Sequence, residues 1–280
     1  MHNAGKCCAL LLAALLVPPA VALERDAFRV CADPNNLPFS HKNQQGFENR
    51  LAKLWADRLG LEVEYTWFPQ RLGFIRNTLR AKNEQDEYKC DVVMGIAEGY
   101  ELLMTTKPYY RSTYALVYVK GRNLDDVQSG QDFVNLDEKR KSALKIGAFD
   151  TTPGPAWLQR HGMLRQMVSY PAMSGDPDDY PGEVIEQALA EGELDAALIW
   201  GPIAGYFAKR SEQVEMAVIP LESEPGVRFD FAISAGVRHG EGEAKEQLEQ
   251  LMNETSGEIQ ALLENYNVPL LEEVQARRGE

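Results

Sequence analysis

The chain has 280 residues, with 42 acidic side chains against 29 basic ones and a formal charge of −13. That balance argues against a nucleic-acid binder, which would normally show a basic patch or stripe. At 44% hydrophobic and 25% charged residues, the composition is that of a globular protein with a real core, far from the signature of disorder. Single cores stop growing near about 250 residues, so two lobes are expected.

Residues 1–22 read as an export signal. Lys6 supplies a positive start, Ala9 to Val17 an apolar run, and Ala20-Val21-Ala22 a small-x-small cleavage site, so the mature chain begins at Leu23. The run falls short of the roughly 20 residues that span a bilayer. Cys7 and Cys8 precede it, where a lipid-anchoring cysteine would follow it. No later stretch is apolar for long enough to span, and the expected location is the periplasm. An acidic exported protein suits a basic partner.

In chain order, Phe28 to Ala32 reads as a short strand, stopped by the turn residues Asp33-Pro34-Asn35-Asn36. Phe47, Leu51, Leu54, Trp55 and Leu59 recur at helical spacing, and Gly60 stands where a glycine closes such a helix. Leu61 to Trp67 alternates as a strand, Pro69 opens a second helix through Leu79, and Asp91 to Ile96 is an apolar run of buried-strand type. Ser112 to Val119 is a longer strand. Composition then turns polar from Lys120-Gly121 through Asp125, Asp126, Gln128, Ser129 and Gly130, and the first crossing between lobes is placed there.

A second alternating set follows: strand Leu144 to Phe149, helix from Pro153, strand Met167 to Tyr170, helix Glu183 to Ala190, strand Asp195 to Trp200, helix Ile203 to Lys209 and strand Val214 to Ile219. Pro220 to Gly226 is read as the return crossing, Arg228 to Val237 as a strand rejoining the first sheet, and the stripe from Leu248 to Leu263 as one closing helix. The domain plan is therefore residues 23–118 with 225–280 as lobe I and 119–224 as lobe II. Strand and helix alternate in both, which predicts α/β lobes with helices on the sheet faces. Two crossings make a hinge, with a cleft outside the carboxyl ends of the strands.

Motifs for common catalytic chemistry are absent. There is no GxSxG, P-loop or GxGxxG. The mature histidines His41, His161 and His239 are scattered without ligand spacing. Asp176-Pro177-Asp178-Asp179 with Glu183 offers oxygen ligands but fails the EF-hand spacing, and is read as a solvated acidic loop. No enzyme, metal site or cofactor is predicted.

The strand ends supply the candidate binding cleft: Asp33, Asn36, Trp67, Gln70, Tyr109, Tyr110, Arg111, Thr152 and Trp200. Aromatic faces with a few fixed polar groups suit a small-ligand cleft, although each aromatic alone reads equally well as core packing. Arg111 needs a partner if it is buried. Thr152 before Pro153 is an N-cap with a first-turn proline, open to simple capping or to an anion.

Two levels of resemblance follow. The order of elements over residues 25–270 resembles a type II periplasmic solute-binding protein of the amino-acid-binding kind. Residues 29–40 (RVCADPNNLPFS), 90–95 (CDVVMG), 108–114 (PYYRSTY) and 200–207 (WGPIAGYF) resemble the MoxJ/XoxJ family of quinoprotein-dehydrogenase-associated accessory proteins, and 267–271 (NVPLL) agrees. Amino-acid binders hold the ligand carboxylate with an arginine before the PY motif and its amino group with an aspartate after the DA strand. Here those positions are Gly99 and Trp200. Losing both ionic partners implies a different ligand, and the cleft shifts toward apolar and aromatic character.

The resemblance implies an accessory role in maturing or activating a periplasmic PQQ-dependent methanol or alcohol dehydrogenase. The alternative is the substrate-binding protein of an ABC transporter for a small non-amino-acid solute. A carrier of PQQ itself ranks last, since its three carboxylates would face only Arg111. Cys31 and Cys90 remain after the signal. An oxidising compartment permits a bridge, while the late position of Cys31 in its strand and the early one of Cys90 work against it; bridge and buried thiols stand equal.

Overall fold

The computed structural model describes residues 26–172 and 180–272. The export signal and the acidic loop Asp176 to Asp179 lie outside them. The first half runs β1 (Ala27–Ala32), a small hairpin of β2 (Asn35–Asn36) and β3 (Ser40–His41), α1 (Phe47–Leu59), β4 (Glu62–Trp67), α2 (Phe74–Asn77), β5 (Val92–Ala97), β6 (Met104–Thr105) and β7 (Tyr110–Val119). The second runs α3 (Gly130–Val134), α4 (Glu138–Ala143), β8 (Ile146–Phe149), α5 (Pro153–Arg160), β9 (Met167–Tyr170), a wide helical turn Val184–Leu189, β10 (Ala196–Trp200), α6 (Gly201–Arg210) and β11 (Met216–Pro220). The chain closes with β12 (Asp230–Val237), α7 (Gly242–Glu254) and α8 (Ser256–Asn265).

Strand β7 belongs to two sets of neighbours. Its first residues, Tyr110 to Thr113, pair with Ile233 to Asp230 of β12, completing the order β4-β1-β5-β12-β7. From Tyr114 onward it pairs with β10 on one side, while β11 joins at Ala115 on the other. Strands β10, β8 and β9 continue outward in parallel. The change of partner falls at Thr113–Tyr114, ahead of the polar stretch at 120–130 where the sequence placed the crossing. The strand is unbroken there, so no turn residue marks it. Residues 120–130 link β7 to α3, with Leu124 and Val127 buried in the core around Phe133 and Trp157.

The sheet is mixed, with β12 antiparallel to β5 and β7 and β10 antiparallel to β7, and each half buries apolar side chains on both of its faces, beneath helices. In the first half, Val30, Val92 and Ile233 pack under α1, α7 and α8 around Phe47, Leu51 and Trp55; Cys31, Val93 and Ile96 face Phe74, Ile75 and Leu79 on the other side. In the second, Leu116, Ile146 and Leu198 meet Phe133 and Trp157, and Val117 and Ile199 meet Ile185, Leu189, Ile203 and Phe207.

Two helices differ from expectation. The second helix spans only Phe74–Asn77, because Gly73 sits at φ +87, which ends any helix running in from Pro69. The closing stripe is two helices, broken at Thr255. The Thr255 hydroxyl donates to the Leu251 carbonyl and accepts from Trp55 Nε1, diverting the local backbone.

Cys31 and Cys90 are joined in a disulfide, with Cα atoms 5.4 Å apart. The register objection fails because residues 89–91 do not extend β5 backward. Thr66 of β4 donates to the Lys89 carbonyl, and the Asp91 N–H donates to the Arg29 carbonyl. Since β1 lies between β4 and β5, the chain crosses the face of β1 at Cys90.

Candidate functional site

The pairing registers set the carboxyl edges of the two halves against each other. Ala97, the last residue of β5, is level with Ile233, which is level with Tyr110. Trp200, the last residue of β10, is level with Tyr114. Four residues of β7 therefore separate the two edges, about 13 Å of extended chain. Side chains beyond β1 and β4 on one edge, and beyond β8 and β10 on the other, line this gap.

Four of the sequence candidates group on the first edge. Asp33 accepts the N–H groups of Asn35 and Gln70, and the Asn36 amide donates to Gln70 Oε1 at 3.0 Å. The loop after β4 is thereby tied to the loop after β1. Trp67 stacks on Tyr65 with ring centroids 4.6 Å apart, so the rim carries an aromatic ledge beside a polar cluster.

Behind this rim stands Glu48, a residue that sequence reasoning missed. It occupies the first turn of α1 and is 8% exposed. Among the described residues its carboxyl has no hydrogen-bond or ion-pair partner. Burial, and then the charge of Asp33, push its pKa up to about 8. Gly95 makes room for it: a Cβ there would stand 2.2 Å from Glu48 Oε1. A glycine inside an otherwise apolar strand is the one sequence signal of such a close approach. Burial, and then the Glu48 charge, also raise the Tyr109 and Tyr110 phenols.

Tyr109, Tyr110 and Arg111 gather elsewhere. The Tyr109 hydroxyl accepts from the Gly95 N–H at 3.2 Å, and its ring lies edge-on to Trp55. Tyr110 is 7% exposed, packs edge-on to Phe47, and has a buried hydroxyl without a partner among the described residues. Arg111 is paired with Asp230 at 2.6 Å, and Asp230 also accepts from the Ser223 hydroxyl. The three border an open pocket of about 480 Å³ that Gln260, Leu263 and Leu270 also line. The structure thus groups them with α8 and the C-terminal segment, apart from Asp33, Asn36 and Gln70.

On the second edge, the Thr152 hydroxyl donates to the Phe149 carbonyl and makes no cap bond to α5. Pro153 and Pro155 remove two of the first-turn N–H groups, leaving this helix end a poor anion site. Trp200 packs against Tyr114 at 5.2 Å and Phe231 at 5.9 Å, joining the cores of both halves. Gly99, in the arginine position of the amino-acid binders, has φ +78 and faces open space. A further pocket of about 330 Å³, also unforeseen, lies at the ends of β8 and β9 among Phe149, Tyr170, Tyr180, Glu183 and Glu191. Among the described residues, no cluster of three or more His, Cys, Asp or Glu could hold a metal ion, and no helix is long and apolar enough to cross a membrane.

No family model matches the chain. Protein MoxJ of Paracoccus denitrificans is 28% identical over 274 residues, covering 91% of this chain and 93% of that protein. The crystal structure of MxaJ from Methlophaga aminisulfidivorans MPT superposes with a TM-score of 0.72 at 24% identity, over 88% of this chain and all of that one, which supports the fold. The crystal structure of the periplasmic binding protein XoxJ from Methylobacterium extorquens AM1 superposes with a TM-score of 0.70 at 35% identity, covering 88% of this chain and 100% of that one. The fold is that of the periplasmic solute-binding proteins, and identity sustained along the whole of XoxJ makes this chain a member of the MoxJ/XoxJ family.

Proposed function

We propose that the protein is a periplasmic accessory factor that assists maturation or activation of a PQQ-dependent methanol or alcohol dehydrogenase, by binding rather than by catalysis. In this reading residues 26–113 with 230–272 form one lobe and 114–172 with 180–229 the other, and a segment of the dehydrogenase enters the gap between them. The observation that carries it is Trp200. Where amino-acid binders place an aspartate for the ligand's ammonium group, this chain has an indole packed between Tyr114 and Phe231. Arg111, the cation foreseen for the cleft, is already paired with Asp230. An apolar, aromatic floor suits a protein segment better than a zwitterion.

A transport receptor for a small solute is the second reading, favoured by the polar cluster of Asp33, Asn36 and Gln70 on the rim. Affinity capture with the tagged mature protein from periplasm of alcohol-grown cells, followed by mass spectrometry, separates the two. Specific recovery of a PQQ dehydrogenase supports the accessory role. No dehydrogenase, together with a thermal shift in some small solute, overturns it; a receptor at hundredfold excess of ligand over Kd gains about 2.7 kcal/mol.

A further inference from the structure

We infer that α6 and the C-terminal segment Asn265–Pro269 form a seam that holds the two halves of the molecule at one opening. Helix α6 follows β10 and packs in the second half, with Ile203, Ala204 and Phe207 in its core. The segment after α8 belongs to the first half: the Tyr266 hydroxyl accepts from Arg50 Nε of α1 and donates to the Gln45 carbonyl, and Phe47 packs edge-on to its ring. These two pieces run past each other in opposite directions and meet four times. A Cβ on Gly201 would lie 2.2 Å from the Thr113 carbonyl oxygen and 2.6 Å from Pro269 Cγ. One turn on, a Cβ on Gly205 would lie 1.8 Å from the Asn267 carbonyl oxygen, while the Asn267 amide donates to the Gly205 carbonyl at 3.0 Å. Tyr206 stacks on Tyr266 at 5.5 Å with the rings 13° from parallel, and Lys209 Nζ donates to the Asn265 carbonyl at 3.0 Å.

The attachments extend from Gly201 to Lys209, about 12 Å along the helix. Fixed at four points on such a line, α6 keeps only rotation about its own axis. Contact of backbone on backbone also has no side-chain rotamers with which to absorb sliding, so displacement breaks it outright. Asn267 completes the fit. It sits at φ +56, a region asparagine tolerates, and its side-chain amide reaches Gly205 from there. Ordinary hinge closure swings one lobe against the other about a few linker residues. This seam opposes that swing, so the cleft is a preset notch.

The test uses the mature protein, whose two cysteines are bridged, with spin labels at Leu72→Cys (86% exposed, first half) and Leu164→Cys (43% exposed, second half). Pulsed electron–electron distance measurement is expected to give one narrow distribution in this labelled parent. Gly205→Leu, which drives a side chain into the Asn267 carbonyl, is expected to shift and broaden it. The pair Tyr206→Ala with Lys209→Ala, which loosens the seam without overpacking, is expected to broaden it too and decides the matter if Gly205→Leu does not fold. Two populations in the parent, or a parent-like distribution in the folded seam variants, would overturn the inference. None of these outcomes depends on which partner the cleft receives.

Discussion

Arg238, the residue after β12, sets its guanidinium 2.6 Å from Asp91, with side chains 9% and 5% exposed. The same guanidinium donates to the carbonyls of Leu79 and Cys90 and lies over the Tyr88 ring. One side chain therefore pins the segment that crosses the face of β1. Removing it leaves Asp91 paired with Arg29 but strips two buried carbonyls of charge-assisted hydrogen bonds, a cost of about 3–5 kcal/mol for the two together. Arg238→Ala is expected to lose that much in urea unfolding. Arg29→Ala should lose far less, because Arg29 contacts the other Asp91 oxygen from a position 28% exposed; equal losses would refute the ranking.

Glu48 predicts a pH dependence. Its carboxyl titrates near 4.5 in an unfolded chain and is raised to about 8 in the fold. Between those values the unfolded state has released a proton that the folded state keeps. Its contribution to stability is thus complete below about pH 4.5, falls by about 1.4 kcal/mol per pH unit across the window, and is gone once pH passes about 8. Glu48→Gln mimics the neutral form and should flatten this slope. Unfolding midpoints measured at several pH values within the window check it, and parallel slopes for the two proteins would count against a buried, protonated Glu48.

The disulfide closes a loop of sequence separation 59. In the chain-entropy picture a loop of that size is worth about 4 kcal/mol. The double variant Cys31→Ser, Cys90→Ser is expected to lose stability on that order, read as a lowered urea midpoint. Both cysteines are buried, at 3% and 0% exposed, so reductant added to the folded protein should act only as fast as the structure opens.

Tyr110 and Trp200, read together from sequence as cleft aromatics, should part company. Tyr110→Ala empties a core position and is expected to cost about 3–5 kcal/mol. Tyr110→Phe should be neutral or stabilising, because the buried hydroxyl it removes has no partner among the described residues. Trp200→Ala is expected to weaken dehydrogenase capture while leaving a folded protein. Undiminished capture by that variant would move the contact surface away from Trp200.

The strands were legible because buried runs such as Val92–Ala97 and alternating ones such as Glu62–Trp67 carry their own periodicity. What stayed hidden depended on contacts remote in sequence. The break between α7 and α8 depends on Thr255 meeting Trp55, 200 residues away. The loop that replaces the start of the second helix turns at Gly73, and Asp33, remote in sequence, holds it by accepting the Gln70 N–H. Glu48 looked like any acid in a first helical turn, where negative charge is favoured; only the closeness of Gly95 and Asp33 makes it unusual. Of the nine cleft candidates, Asp33, Asn36, Trp67 and Gln70 share one rim, since turn and strand-end residues advertise themselves. Nothing local distinguished an arginine facing solvent from Arg111 paired with Asp230 across neighbouring strands.

Strand β12 lies between β5 and β7 in the first sheet, yet among the described residues it is the last strand to be made. Until residue 237 is available, β5 and β7 present bare edges toward each other, with backbone groups that only β12 can pair. The sheet cannot close from the N-terminal strands alone, and pairing of such long range is the kind that slows folding and exposes unpaired edges in the meantime. The half of the molecule that begins first in the chain is the half that finishes last.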